Sequence, residues 1–162
     1  GEIDELMEKY KTRAYSGGLL VEGDEVYYML PDYYQIYRVG PWGREGILKE
    51  EASHFEQVSI PIINWREDWK THSSMYGFFK ENGLWFVISI PPENKYDRIR
   101  NEEGKLFITD IFNKDGYLVK EGIFFGSDIE HVPKKFAPGK YITYDSSESL
   151  IIILTYKYTD EK

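Results

Sequence analysis

The sequence predicts an all-β protein built from a repeated, antiparallel four-stranded meander. Three observations carry this. Aromatic side chains make up 17% of the 162 residues, with 14 Tyr, 9 Phe and 4 Trp, a supply that suits pleated surfaces better than a helical bundle. From residue 19 onward, apolar residues recur with period two between turn-forming pairs. The same series of strands and turns then occurs twice and begins a third time.

Residues 1–16 stand apart as a helical lead-in. Ile3, Leu6, Met7 and Tyr10 recur at three- and four-residue spacing among Glu and Lys, which predicts one short amphipathic helix over about residues 2–13. The first blade-like unit spans 17–51. Leu19 to Val21 is a strand, Gly23-Asp24 a two-residue hairpin loop, and Glu25 to Leu30 the return strand, ended by Pro31-Asp32. Gln35 to Val39 alternates again, Pro41-Trp42-Gly43 turns, and Ile47 to Glu50 is expected to close the unit.

Residues 52–75 form an insertion. Ser59 to Ile63 could be a strand, and Asn64 with Glu67 three positions later reads as a helix start, extending to Ser73. The second unit covers 76–126. Tyr76 to Phe79 and Leu84 to Ile90 flank Asn82-Gly83, the strongest short hairpin signal in the chain. After a polar loop from Glu93 to Gly104, Leu106 to Phe112 and Tyr117 to Phe125 flank the turn Asn113-Lys114-Asp115-Gly116. An incomplete third unit, 139–158, holds Lys140 to Tyr144 and Leu150 to Tyr158. Four-stranded meanders that repeat in this way are the mark of propeller blades, so a partial β-propeller is the expected fold, with a β-sandwich as the alternative.

The formal net charge of -8 and the lack of any basic stripe argue against a nucleic-acid partner. Without cysteine there is no disulfide framework and no thiolate chemistry. No apolar run approaches the ~20 residues of a membrane-spanning helix. Gly1 in place of a methionine reads as an excised fragment or tag remnant, which leaves the compartment unknown. Phosphate-loop and dinucleotide fingerprints are absent, and His54, His72 and His131 lack metal-ligand spacing. Nothing calls for a cofactor or a metal, and no catalytic set is assigned. Each histidine is expected to be a solvated loop residue.

Two clusters are candidates for ligand binding. Tyr33 and Tyr34, beside Asp32, could stack on a sugar or peptide, or cap the core edge with their hydroxyls in water. Trp65 and Trp69 would share a face of the expected helix, where with Arg66 and His72 they either seal the gap between units or line a pocket.

The run Leu106-Phe-Ile-Thr-Asp-Ile-Phe-Asn-Lys-Asp-Gly-Tyr-Leu-Val resembles the outer half of a blade in six-bladed β-propellers related to NHL repeats. Tyr34-Gln-Ile-Tyr-Arg-Val-Gly-Pro-Trp-Gly is similar to a degraded copy of it. Met7-Glu-Lys-Tyr-Lys-Thr-Arg-Ala-Tyr-Ser-Gly-Gly resembles an inter-blade segment of bacterial propellers of this group, which are often surface or periplasmic lipoproteins. The resemblance, over residues 7–158, implies a binding scaffold without a fixed catalytic set: a non-catalytic binding or protein-interaction module of unknown ligand, with carbohydrate and protein as the candidates. The alternative is a fragment of a propeller hydrolase or lyase acting on carbohydrate or peptide. About two and a half blades are visible, whereas closed propellers have four to eight. The chain would then be the C-terminal part of a longer ring, or would self-associate through its open sheet edges.

Overall fold

The structure, a computed structural model, describes residues 18–57, 71–92, 107–125, 134–137, 140–145 and 150–155. The expected helix at 2–13, the expected strand at 59–63 and all but the end of the expected helix at 64–73 lie outside them. Eleven strands are described, in three sheets, and every pairing is antiparallel. The first sheet is a meander of β1 (Leu19–Glu22), β2 (Glu25–Met29), β3 (Ile36–Gly40) and β4 (Gly43–Gly46), hydrogen-bonded in that order. The second repeats the plan with β5 (Ser74–Glu81), β6 (Leu84–Ile90), β7 (Phe107–Phe112) and β8 (Leu118–Phe125). β9 (Lys134–Ala137), β10 (Lys140–Asp145) and β11 (Leu150–Thr155) form the third, with β10 in the middle. The described part of the protein is thus all-β, with two antiparallel four-stranded meanders, and none of its sheets closes into a barrel.

Turn chemistry sets the hairpins. Asn82 and Gly83 both take positive φ, 51° and 76°, the requirement of a tight two-residue loop whose twist matches its strands. Gly23 and Gly116 are also left-handed, at 59° and 87°. At the Asn113 turn, the side-chain Oδ1 accepts from the backbone amides of Asp115 and Tyr117, both at 3.0 Å.

Two of the strands differ from expectation. The fourth strand of the first unit is Gly43–Gly46 rather than 47–50, because Pro41-Trp42 alone makes the turn and pairing resumes at once, with Gly40 opposite Gly43. Residues 47–50 instead cross to the β7–β8 turn. There the Lys49 amide donates to the Gly116 carbonyl at 2.8 Å, and the Leu118 amide donates to Glu50 Oε2 at 2.7 Å. The crossing is so close that a Cβ on Gly116 would stand 2.0 Å from the Ile47 carbonyl oxygen. The third sheet also holds one strand more than expected, β9, whose Lys-Lys-Phe-Ala carries little strand signal.

The second sheet is the middle layer, covered on both faces. One face gives Met75, Phe78, Trp85, Val87 and Phe112 to a core shared with Tyr27, Met29 and Ile36 of the first sheet. The other packs Phe79, Phe86, Ile88, Phe107 and Ile111 around Tyr141 of the third sheet, which is fully buried. Aromatic contacts join the layers: Tyr27 meets Trp85 edge-on with ring centroids 4.9 Å apart, and Phe79 lies 4.7 Å from Tyr141. Between layers, Lys80 pairs with Glu22 at 2.7 Å and the Tyr141 hydroxyl donates to Glu81 at 2.5 Å.

The outer faces of the stack are apolar too. On the first sheet Leu19, Val21 and Val39 are exposed beside the stacked rings of Tyr28 and Tyr37. On the third, Ile142, Ile151 and Ile153 are exposed.

Candidate functional site

Two places in the described residues gather polar chemistry: a sealed cluster between the first two sheets, and an open cavity at one end of the first sheet.

The sealed cluster is centred on Asp110, in mid-strand β7 and with no exposed surface. A carboxylate there needs donors to offset its lost hydration. It has them from three directions. The Tyr34 hydroxyl donates to Oδ2 at 2.6 Å, His54 Nε2 lies 2.9 Å from both oxygens, and the Gly122 amide donates to Oδ1 at 2.9 Å. The last bond depends on a bulge: between the Thr109–Ile123 and Ile111–Lys120 pairs β8 carries one residue more than β7, and Gly122 takes a φ of 73°. Burial first, and then the negative charge of Asp110, push the Tyr34 phenol far above its ordinary range, so it is a neutral donor. His54 Nδ1 is buried from solvent and has no hydrogen-bond partner among the described residues. Nearby, Glu121 accepts from the Ser53 amide at 2.7 Å and from its hydroxyl at 2.9 Å, which fixes the loop that carries His54.

The open cavity has a volume of about 460 Å³. In an up-and-down meander the β1–β2 and β3–β4 turns share one end of the sheet, which brings Asp24 and Glu25 beside Pro41 and Trp42. Trp42 is 98% exposed. Next to it, Arg38 bridges two strands, donating from one nitrogen to Glu25 at 2.9 Å and from the other to Glu45 at 2.5 Å. Hydrogen bonds from Tyr27 and then from Arg38 hold the Glu25 carboxyl below the usual carboxylate range, and the hydrogen bonds to Glu45 and then to Glu25 raise the Arg38 guanidinium. Arg44 stands over the Tyr37 ring, 4.6 Å from its centroid.

Of the residues singled out from sequence for ligand binding, Tyr33, Tyr34 and His72 are among the described residues. Tyr34 is buried, and its hydroxyl binds Asp110 rather than water. Tyr33 is half-buried, its amide donating to the Leu30 carbonyl at 3.4 Å. His72 is half-buried, with Nδ1 2.9 Å from the Thr71 hydroxyl. Trp65, Arg66 and Trp69 lie outside the described residues. His54, expected in solvent, is instead drawn into the protein by Asp110.

Sequence reasoning passed over Asp110, although a carboxylate within Phe-Ile-Thr-Asp-Ile-Phe, on a strand buried throughout, was a visible signal. It also treated Trp42 only as part of a turn. Among the described residues no group of three or more His, Asp or Glu is placed to hold a metal, and no helix is long and apolar enough to cross a membrane. No protein-family model matches the chain, and neither curated proteins nor solved structures yield a match.

Proposed function

We propose that this protein is a non-catalytic binding or interaction module of propeller type. The observation that carries the reading is a contrast between its two polar clusters. The ionisable groups closest to a catalytic geometry, His54 and Asp110, are spent on joining sheets. The open cavity instead offers a bare indole and a fixed charge array to solvent. Large exposed aromatics beside placed polar groups are the usual elements of recognition.

A hydrolase or lyase would draw on His54, with Asp110 to orient it. Against this, the ring nitrogen turned away from the carboxylate is shut off from solvent, where no substrate proton could reach it. The propeller part of the reading rests on two four-stranded meanders stacked face to face, with apolar outer faces suited to further sheets of the same kind. Such neighbours would come from more chain or from a second copy. A glycan and peptide screen by calorimetry, with product analysis of every hit, tests the function. Saturable binding without turnover is expected, and turnover would overturn the proposal.

A further inference from the structure

The cavity at the hairpin ends of the first sheet combines features that point to one ligand class. Its apolar platform is Trp42, almost wholly exposed on a tight turn, with Pro41 next to it. Protein-binding tryptophans sit at the centre of apolar surroundings that exclude water. Those of Trp42 are mixed: Val39 and Pro41 line the cavity beside it, but so do the charged Asp24, Glu25, Arg38, Arg44 and Glu45. An apolar partner patch would have to desolvate these charges at a cost. A ligand rich in hydroxyls would pair with them.

The lining has two guanidinium and three carboxylate groups, a net of one negative charge, so it does not favour a phosphate or a polyanion. The Arg38 fork is fixed across strands by Glu25 and Glu45, and the carboxylate oxygens retain lone pairs for further donors. The acceptors are therefore held in place before any ligand arrives.

We infer that this cavity is a binding site for a neutral carbohydrate, with a pyranose ring stacked on Trp42 and its hydroxyls hydrogen-bonded to Glu25, Glu45 and Asp24. The inference rests on the binding-module reading and names the ligand class of its open cavity. A β-glucose ring fits best, because its substituents are all equatorial and each face shows only axial C–H groups to the electron-rich indole face. A volume of about 460 Å³ suits one or two such rings.

Calorimetric titration of the full chain with cellotetraose tests this. Saturable binding is expected with a dissociation constant on the order of 1 mM or tighter. Trp42→Ala should weaken it at least tenfold at an unchanged melting temperature, since this side chain packs on almost nothing. Trp42→Phe should keep part of the affinity. No saturable binding of cellotetraose, or binding that Trp42→Ala leaves intact, overturns the inference. A screen hit unaffected by Trp42→Ala keeps the module reading and removes this site. A peptide hit lost in Trp42→Ala keeps the site and removes the sugar. Hydrolysis of cellotetraose would overturn the non-catalytic reading yet leave the assignment of the cavity standing.

Discussion

The Tyr34 hydroxyl donates to Asp110 Oδ2 at 2.6 Å, joining the loop after β2 to the middle of β7 across 76 residues of sequence. Tyr34→Phe keeps the ring against Phe55 but removes one of the donors that offset a buried carboxylate. Urea unfolding should show a loss of about 1–3 kcal/mol. Asp110→Ala removes the acceptor shared by Tyr34, His54 and Gly122, and should cost more than Tyr34→Phe. If Tyr34→Phe is neutral, the cluster does not hold the sheets together.

Gly83 and Gly116 are both left-handed, yet a side chain would meet different surroundings at each. At Gly83 a Cβ meets nothing within 4 Å, so Gly83→Ala should cost only the backbone strain, about 1–2 kcal/mol. At Gly116 the Cβ would stand 2.0 Å from the Ile47 carbonyl oxygen, and the crossing of residues 47–50 would have to move. Gly116→Ala should therefore be clearly the more destabilised of the two in the same denaturant series. Equal losses would contradict the close crossing.

Alkali should weaken the fold in a defined window. Burial, and then the hydrogen bond to Glu25, push the Tyr27 phenol up to about 12 from its ordinary 10.0. A group whose pKa is raised by folding contributes stability that is intact below the unfolded value and is lost as pH rises through the folded one. Stability should accordingly fall from about pH 10 to about pH 12. Tyr27→Phe should flatten part of that fall, which denaturant midpoints across the range would reveal. A slope identical to wild type would remove Tyr27 as a contributor.

The outer faces should show themselves in solution. With Leu19, Val21 and Val39 exposed at one end of the stack and Ile151 and Ile153 at the other, concentration-dependent self-association and binding of a hydrophobic dye are expected. Leu19→Lys combined with Ile153→Lys should reduce both without loss of folding, because neither side chain supports the core. A clean monomer that binds no dye would favour a self-contained sandwich over a partial ring.

Most strands were legible because their turns were. Asn82-Gly83 fixes β5 and β6, and the apolar run Leu84–Ile90 reflects burial on both faces of the middle sheet. β4 was misplaced because Gly43–Gly46 is an edge strand with little to bury, so Gly-Arg-Glu-Gly shows no alternation. β9 was hidden for a related reason: a short edge strand opening with two lysines resembles a loop. The polar clusters were harder to see. Asp110 and His54 lie 56 residues apart, and only the stacking of two sheets brings them together. The exposure of Trp42 likewise depends on the Pro41-Trp42 turn projecting beyond its sheet, a matter of geometry rather than composition.

The long separation between Tyr34 and Asp110 also bears on the order of assembly. The β1–β2, β5–β6 and β7–β8 hairpins join neighbouring segments and can form early at small entropic cost. Asp110, by contrast, can shed its water only once Tyr34, His54 and the Gly122 amide have all arrived, which closes one of the longest loops in the described chain. Docking of the first two sheets should then be completed late, with this cluster closing after the folding barrier on hairpins already in place. Substitutions at Tyr34 or His54 would speed unfolding far more than they slow folding.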